Sequence, residues 1–158
     1  MIRRMIATDI PAAVNLMTVL ARHFTEPTVA YARQHLSEFA GFVAEDEQCV
    51  VGFIAYFISR KNPQLAKLAW MGVHPSRHRQ GIGGRLLAAM EDDLAARGVD
   101  EVEVVTLDEH ERYPEYGPTR AFYRQHGYQV LRREADPDEQ DVILLTLHKR
   151  VAGLCGKK

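Results

Sequence analysis

Hydrophobic positions along this chain alternate between a helical period and a strand period. Val14, Met17, Leu20 and Ala21 fall on one helical face, predicting a helix that starts behind Thr8 or Asp9 and ends near Arg22. Pro11 sits in its first turn, where a missing N–H costs nothing. A short strand is expected over Ile2 to Ala7, and a less regular second helix from Glu26 or Thr28 through Leu36 and Phe39. Phe42 to Glu45 and Val50 to Ile58 are β-rich runs around a polar Glu45-Asp46-Glu47-Gln48 turn, which reads as a hairpin. Lys61-Asn62-Pro63-Gln64 breaks the pattern before a third strand at about 66–73. Ile82, Leu86, Met90 and Leu94 then mark a helix stopped by Gly98. Glu101 to Leu107 reads as a strand, 108–117 as a polar loop and Pro118–Gln125 as a helix, followed by strands near 128–133 and 141–149. Strands joined by one crossover helix and closed by a late hairpin predict an α/β (α+β) fold with a mixed sheet, one domain over 1–150 and a flexible tail over 151–158.

Composition narrows the function classes. A chain of 158 residues is long enough to bury about 70% of its unfolded surface. A net charge of −1 gives no footprint for nucleic acid, and no apolar run reaches the ~20 residues a bilayer span needs. Met1-Ile2-Arg3-Arg4-Met5 lacks the apolar core of a signal peptide. The expectation is therefore a cytoplasmic protein with no nucleic-acid or membrane partner. Cys49, in a predicted strand, and Cys155, in the tail, form no disulfide framework. His74 and His78 are four apart, but Pro75 and the turn preclude the helical presentation that a metal pair needs, and no metal is expected. His126, just before a helix-ending Gly127, reads as an ordinary surface histidine.

Chemistry concentrates between Leu68 and Leu87. An apolar strand runs into a basic turn, His74-Pro75-Ser76-Arg77-His78-Arg79-Gln80, and then into Gly81-Ile82-Gly83-Gly84 at the head of an amphipathic helix. Backbone N–H groups at a helix N-terminus, with the dipole behind them, favour an anion, and glycines lacking Cβ let it approach closely. Arg77, Arg79 and Arg85 add positive charge. The pattern is a phosphate or pyrophosphate site. It is no P-loop, since Arg85 and Leu86 stand where Lys and Ser or Thr would be needed. Nor does it complete a dinucleotide fingerprint, whose last glycine is replaced by Leu86.

Val73 to Leu87 resembles the acyl-coenzyme-A loop of the GNAT superfamily of N-acetyltransferases. That pattern runs Val-x-Pro and then Gln/Arg-x-x-Gly-x-Gly/Ala. Val73, Pro75, Gly81 and Gly83 match it, and His78 departs from it. Ala121-Phe122-Tyr123-Arg124-Gln125-His126-Gly127-Tyr128 resembles the family's later helix. The resemblance covers about residues 1–149. It implies a mostly antiparallel sheet of six to seven strands flanked by helices, with two central strands splayed apart. It also implies acetyl-coenzyme A as co-substrate, bound by Met71, Gly72 and Val73 of the strand and by Arg79, Gln80, Gly81, Ile82, Gly83 and Gly84 of the loop.

Transfer of an acyl group from a thioester to an amine needs a donor site, an uncharged amine, an oxyanion donor and an acid for the thiolate. The resemblance puts the oxyanion donor on a backbone N–H of Met71–Val73 and gives Tyr123 the acid's role. A phenol, with a reference pKa of about 10, stays protonated beside a thiol of about 8.5; the plainer reading of Tyr123 is an aromatic packing helix on sheet. No base stands out. Glu103 reads as a solvent-face strand residue, and Asp108, Glu109, His110 and Glu111 as loop residues, with water free to carry the proton. Acidic positions at 108–115 and 134–141 would steer a cationic amine if both overhang the site; otherwise they are solvated loops. Tyr113 and Tyr116 either line the acceptor pocket or pin their loop, and the Asn often found near Tyr116 in the family is absent. The acceptor is expected to be a primary amine of a small molecule or peptide, attacked directly in a ternary complex, in a pocket shaped by residues 22–41 and 108–117. Two alternatives stay open: transfer of a different acyl group, and a non-catalytic coenzyme-A-binding regulatory module. A homodimer through a sheet edge or helix face is compatible with the chain.

Overall fold

Strands β1 (Ile2–Arg4), β2 (Ala40–Asp46), β3 (Cys49–Ile58), β4 (Leu65–Val73), β5 (Glu101–Leu107), β6 (Gln129–Ala135) and β7 (Ile143–Arg150) form one sheet. Their order is β1-β2-β3-β4-β5-β7-β6 in the computed structural model, which describes residues 1–151. Every neighbouring pair is antiparallel except β4 and β5. Helix α3 (Ile82–Ala96) supplies the crossover that this parallel pair requires.

Period-two alternation in β3 feeds both sides of the sheet. Phe53 and Ala55 pack with Val14, Met17, Val29 and Ala32 of α1 (Ile10–Val19) and α2 (Glu26–His35). Ile54 and Tyr56 pack with Leu86, Met90 and Leu94 of α3, and Tyr123 of α4 (Tyr116–Gln125) joins the same cluster. Each fully buried large apolar side chain contributes about 1.5–3 kcal/mol, so the two layers hold the sheet from both faces.

Several boundaries differ from the sequence expectation for identifiable reasons. Helix α1 stops at Val19, not Arg22, because Leu20 turns out of the helix to cover Gly72 of β4. Asp9 stands at its start without capping it: the carboxylate reaches back to the Ile6 N–H at 2.8 Å and to both terminal nitrogens of Arg3. Helix α2 is continued by a 3₁₀ turn, Leu36–Glu38. Helix α4 starts at Tyr116, two residues early, since Pro118 falls in the first turn, where no N–H is needed. Val151 is buried and donates its N–H to Asp100 O at 2.9 Å. The rest of the expected tail, with Cys155, lies outside the described residues.

The feature that positions the site is a gap in the middle of the sheet. Strands β4 and β5 pair only at Leu65–Glu101, Ala66–Val102 and Lys67–Glu103. Beyond that point β4 continues to Val73 and β5 to Leu107 without pairing to each other. A bulge marks the departure: Trp70 pairs with Ala55 but Leu68 with Tyr56, leaving Ala69 opposite no residue. The extra residue flips the phase of the strand. Before it, Ala66 and Leu68 face the α3 side; after it, Met71 and Val73 do, and Trp70 turns to the α1–α2 side.

Candidate active site

The open edge of β4 carries defined backbone groups. His74 donates its N–H to Val51 O of β3 at 2.8 Å. Backbone groups alternate sides along a strand, so Gly72 also bonds toward β3, while Met71 and Val73 direct N–H and C=O into the gap. The Val73 carbonyl already accepts from His78 Nε2 at 2.7 Å. His78, the departure from the family pattern, thus folds back onto the strand that precedes it.

The turn after β4 leads these groups to a helix start. A 3₁₀ turn at Pro75–Arg77 is followed by Arg79 at φ 66° and Gly81 at φ 77°, two left-handed positions in three residues. Gly81 precedes the first residue of α3, has no side chain to cap it, and is followed by a first turn without an acidic residue. The N–H groups at this end of α3 are therefore left to a ligand or to water. The three glycines differ in role. A Cβ on Gly81 would meet nothing within 4 Å, whereas one on Gly83 would lie 3.3 Å from the Phe122 ring and one on Gly84 2.8 Å from His126 Nε2. Only Gly81 opens toward solvent; Gly83 and Gly84 let α3 and α4 approach. His126 is correspondingly half-buried, with Nδ1 donating to Phe122 O at 2.8 Å, and is no plain surface histidine. Arg77 is committed to Asp46 across the β2–β3 turn, which leaves Arg79 and Arg85 as the turn's exposed cations.

Tyr123 lies on the α3 side of the gap. It is 5% exposed, packs edge-to-face on Phe122 and Tyr128, and its hydroxyl has no hydrogen-bond partner among the described residues. Burial pushes its phenol above the ordinary tyrosine range. Phe122 beside it touches Gly83, so α4 and the turn meet at the end of β4.

The other mouth of the gap is built from distant segments. Leu20 and Phe24, in the α1–α2 connection, lie over Gly72. Between them, His23 places Nε2 3.2 Å from Glu115 O and stacks edge-to-face on Tyr116, whose hydroxyl donates to His23 O at 3.3 Å. Arg22 pairs with the Glu115 carboxylate at 3.3 Å. Farther out, the two acidic loops close on each other. Arg112 binds Asp141 at 2.8 Å, Tyr113 donates to Glu139 at 3.0 Å, and Arg133 binds Asp108 at 2.8 Å. Desolvation opposes ionisation of Asp108, yet Arg133 and the Glu109 N–H outweigh it and hold the carboxyl below its ordinary range. These carboxylates are spent on internal pairs.

This geometry has a close match among known proteins. A family model described as an acetyltransferase (GNAT) domain matches residues 37–130, more than half of the chain. The chain belongs to the GNAT acetyltransferase family. A mycothiol acetyltransferase from Clavibacter michiganensis is 37% identical over 75 residues, 48% of this chain and 21% of that protein. The chain thus matches about a fifth of that relative's length. A GNAT-family acetyltransferase structure from Desulfovibrio desulfuricans superposes with a TM-score of 0.85 at 20% identity, covering 96% of this chain and 99% of that one. An aminoglycoside 6′-N-acetyltransferase solved with coenzyme A gives 0.78 at 18% identity, covering 96% and 97%.

Within this GNAT chain the sequence-predicted residues fall into one neighbourhood. Met71, Gly72 and Val73 form the end of β4, Arg79 to Gly84 the turn and helix start, and Tyr123 packs in the cluster that Met71 and Val73 border. Of the loop residues weighed as bases, Asp108 and His110 are held by internal partners. His110 accepts from Arg112 N–H at Nδ1 and binds Asp141 through Nε2, so both ring nitrogens are taken. Glu103, expected on a solvent face, is only 9% exposed, because it stands at the last β4–β5 pair with Arg132 drawn over it at 3.6 Å. His23 falls in the segment 22–41 expected to shape the acceptor pocket, but nothing singles it out there. No local pattern marks it, since its contacts lie 92 residues away.

Proposed function

We propose that this protein transfers an acetyl group from acetyl-coenzyme A to a primary amine, by direct attack of the amine on the bound thioester. The observation that carries the reading is the unpaired edge of β4, which runs without interruption into an uncapped, left-handed turn at the head of α3. An extended amide-bearing arm fits the first as an added strand, and a diphosphate fits the second. The uncapped amides and the space at Gly81 are what such a donor requires, and a nucleotide triphosphate with magnesium finds no Lys-Ser/Thr pair here.

In this reading Met71 and Val73 offer the N–H groups that bind the arm and, at the thioester carbonyl, stabilise developing negative charge. Tyr123 donates a proton to the departing sulfur. Burial holds its phenol above the ordinary range, so it is protonated at neutral pH and has a proton to share with the departing sulfur. Leu20, Phe24, His23 and Tyr116 wall the side from which the amine enters. The test is thiol release from acetyl-coenzyme A against a panel comprising a polyamine, an amino sugar and a peptide with a free N-terminus, beside calorimetry of coenzyme A binding. Thiol release with at least one amine is expected. Binding without release on any amine would leave a coenzyme-A-binding module and reject the transferase.

A further inference from the structure

We propose that His23 is the general base that removes the acceptor's proton; this rests on the acetyl-transfer reading above. An amine arrives at neutral pH as an ammonium ion and attacks only after losing a proton. Asp108, Glu115, Glu139, Asp141 and His110 are committed to internal partners, as described, while Glu109 and Glu111 stand exposed with no side-chain partner among the described residues to orient them. His23 differs from them in one respect. The group facing its Nε2 is a backbone carbonyl, Glu115 O at 3.2 Å, which can only accept. Nε2 therefore carries the ring proton, and Nδ1 is left with its lone pair and no hydrogen-bond partner among the described residues. The same contact that fixes the tautomer fixes the ring, together with the edge-to-face Tyr116 ring at 5.0 Å and the Tyr116 hydroxyl on His23 O.

Position supports the assignment. His23 lies between Leu20 and Phe24, which cover Gly72, the residue between the two that open their backbone into the gap. Its other neighbour is the first turn of α4, the helix that bears Tyr123. The base and the acid thus stand on opposite sides of the same opening. The charged and titratable groups around His23 are Arg22 on its own loop, Glu115 and Tyr116 at the head of α4, and Tyr113 packed behind Tyr116. Nδ1 takes a proton from R–NH3+, and the freed amine forms the C–N bond as the carbonyl electrons move to oxygen. Collapse of the adduct breaks the C–S bond. The nitrogen loses its second proton while the sulfur gains one, so that one net proton leaves through the imidazolium of His23.

The test is the pH profile of kcat/KM for His23→Gln with the best amine of the panel, beside melting temperature and coenzyme A affinity. At neutral pH the variant is expected to lose about 10²-fold or more. Its log kcat/KM should then climb with unit slope where the wild type is level, because only amine already deprotonated in solution reacts. A loss equal at every pH, or a profile that keeps the wild-type shape, would overturn the assignment, since a packing role gives no rescue by alkali. A wild type that releases no thiol with any amine fails earlier and overturns the transfer reading itself.

Discussion

The two mouths of the β4–β5 gap are built in opposite ways. On the α3 side, one uninterrupted stretch from Met71 to Gly84 supplies strand edge, turn and helix start, to which α4 and the residue after it add Phe122, Tyr123 and His126. On the α1–α2 side, the walls come from residues some 90 positions apart, joined by His23 to Glu115 and Tyr116. On the proposed reading, the α3 side meets a coenzyme-A donor shared within the family, and a fixed local motif suffices for it. An acceptor that differs between members must be met by loops whose lengths and sequences are free to change.

Substitutions on the two sides should separate accordingly. The largest effect is expected at the junction. Tyr123→Phe keeps the ring packing on Phe122 and Tyr128 but removes the proton donor, and kcat should fall by about 10²-fold with coenzyme A affinity little changed by calorimetry. Equal turnover across the pH range would reject Tyr123 as the acid. Next, Gly81→Val forces a β-branched residue into φ 77°. At about 1–2 kcal/mol for the left-handed conformation, coenzyme A should bind about tenfold more weakly, while a solvent-exposed acceptor-side change such as Arg22→Ala leaves donor affinity alone. The smallest effect concerns packing beneath the turn. Gly84→Ala brings a methyl against His126 Nε2 and should cost about 1 kcal/mol, and His126→Ala in the same chain should return most of it. A double-mutant cycle on unfolding free energy reads the coupling; additive losses would show that His126 is not what keeps Gly84 a glycine.

The same contrast explains what could be read from the sequence. Strand β5, helix α3 and the turn were legible because their signals are local: Val102 and Val104 alternate, Ile82, Leu86, Met90 and Leu94 repeat on one face, and Gly98 stops the helix. The splay itself came only through family resemblance. No periodicity announces that Lys67 pairs with β5 and Trp70 does not, because the bulge at Ala69 is a relation between strands. Glu103 misled for a related reason: its face of β5 is solvent-side by alternation, yet Arg132 of β6 covers it. His23 was invisible, since a histidine in a polar connection has no pattern and its partners are tertiary.

The open backbone of β4 and the amides at the head of α3 are proposed to hold the acyl donor. Backbone amide hydrogen exchange, residue by residue, with and without saturating coenzyme A tests this most directly. Exchange at Met71, Val73 and the amides of 81–84 should slow in the complex, with Gly72, already turned toward β3, changing least. A complex that forms with those amides exchanging as freely as before would show that the donor is held elsewhere.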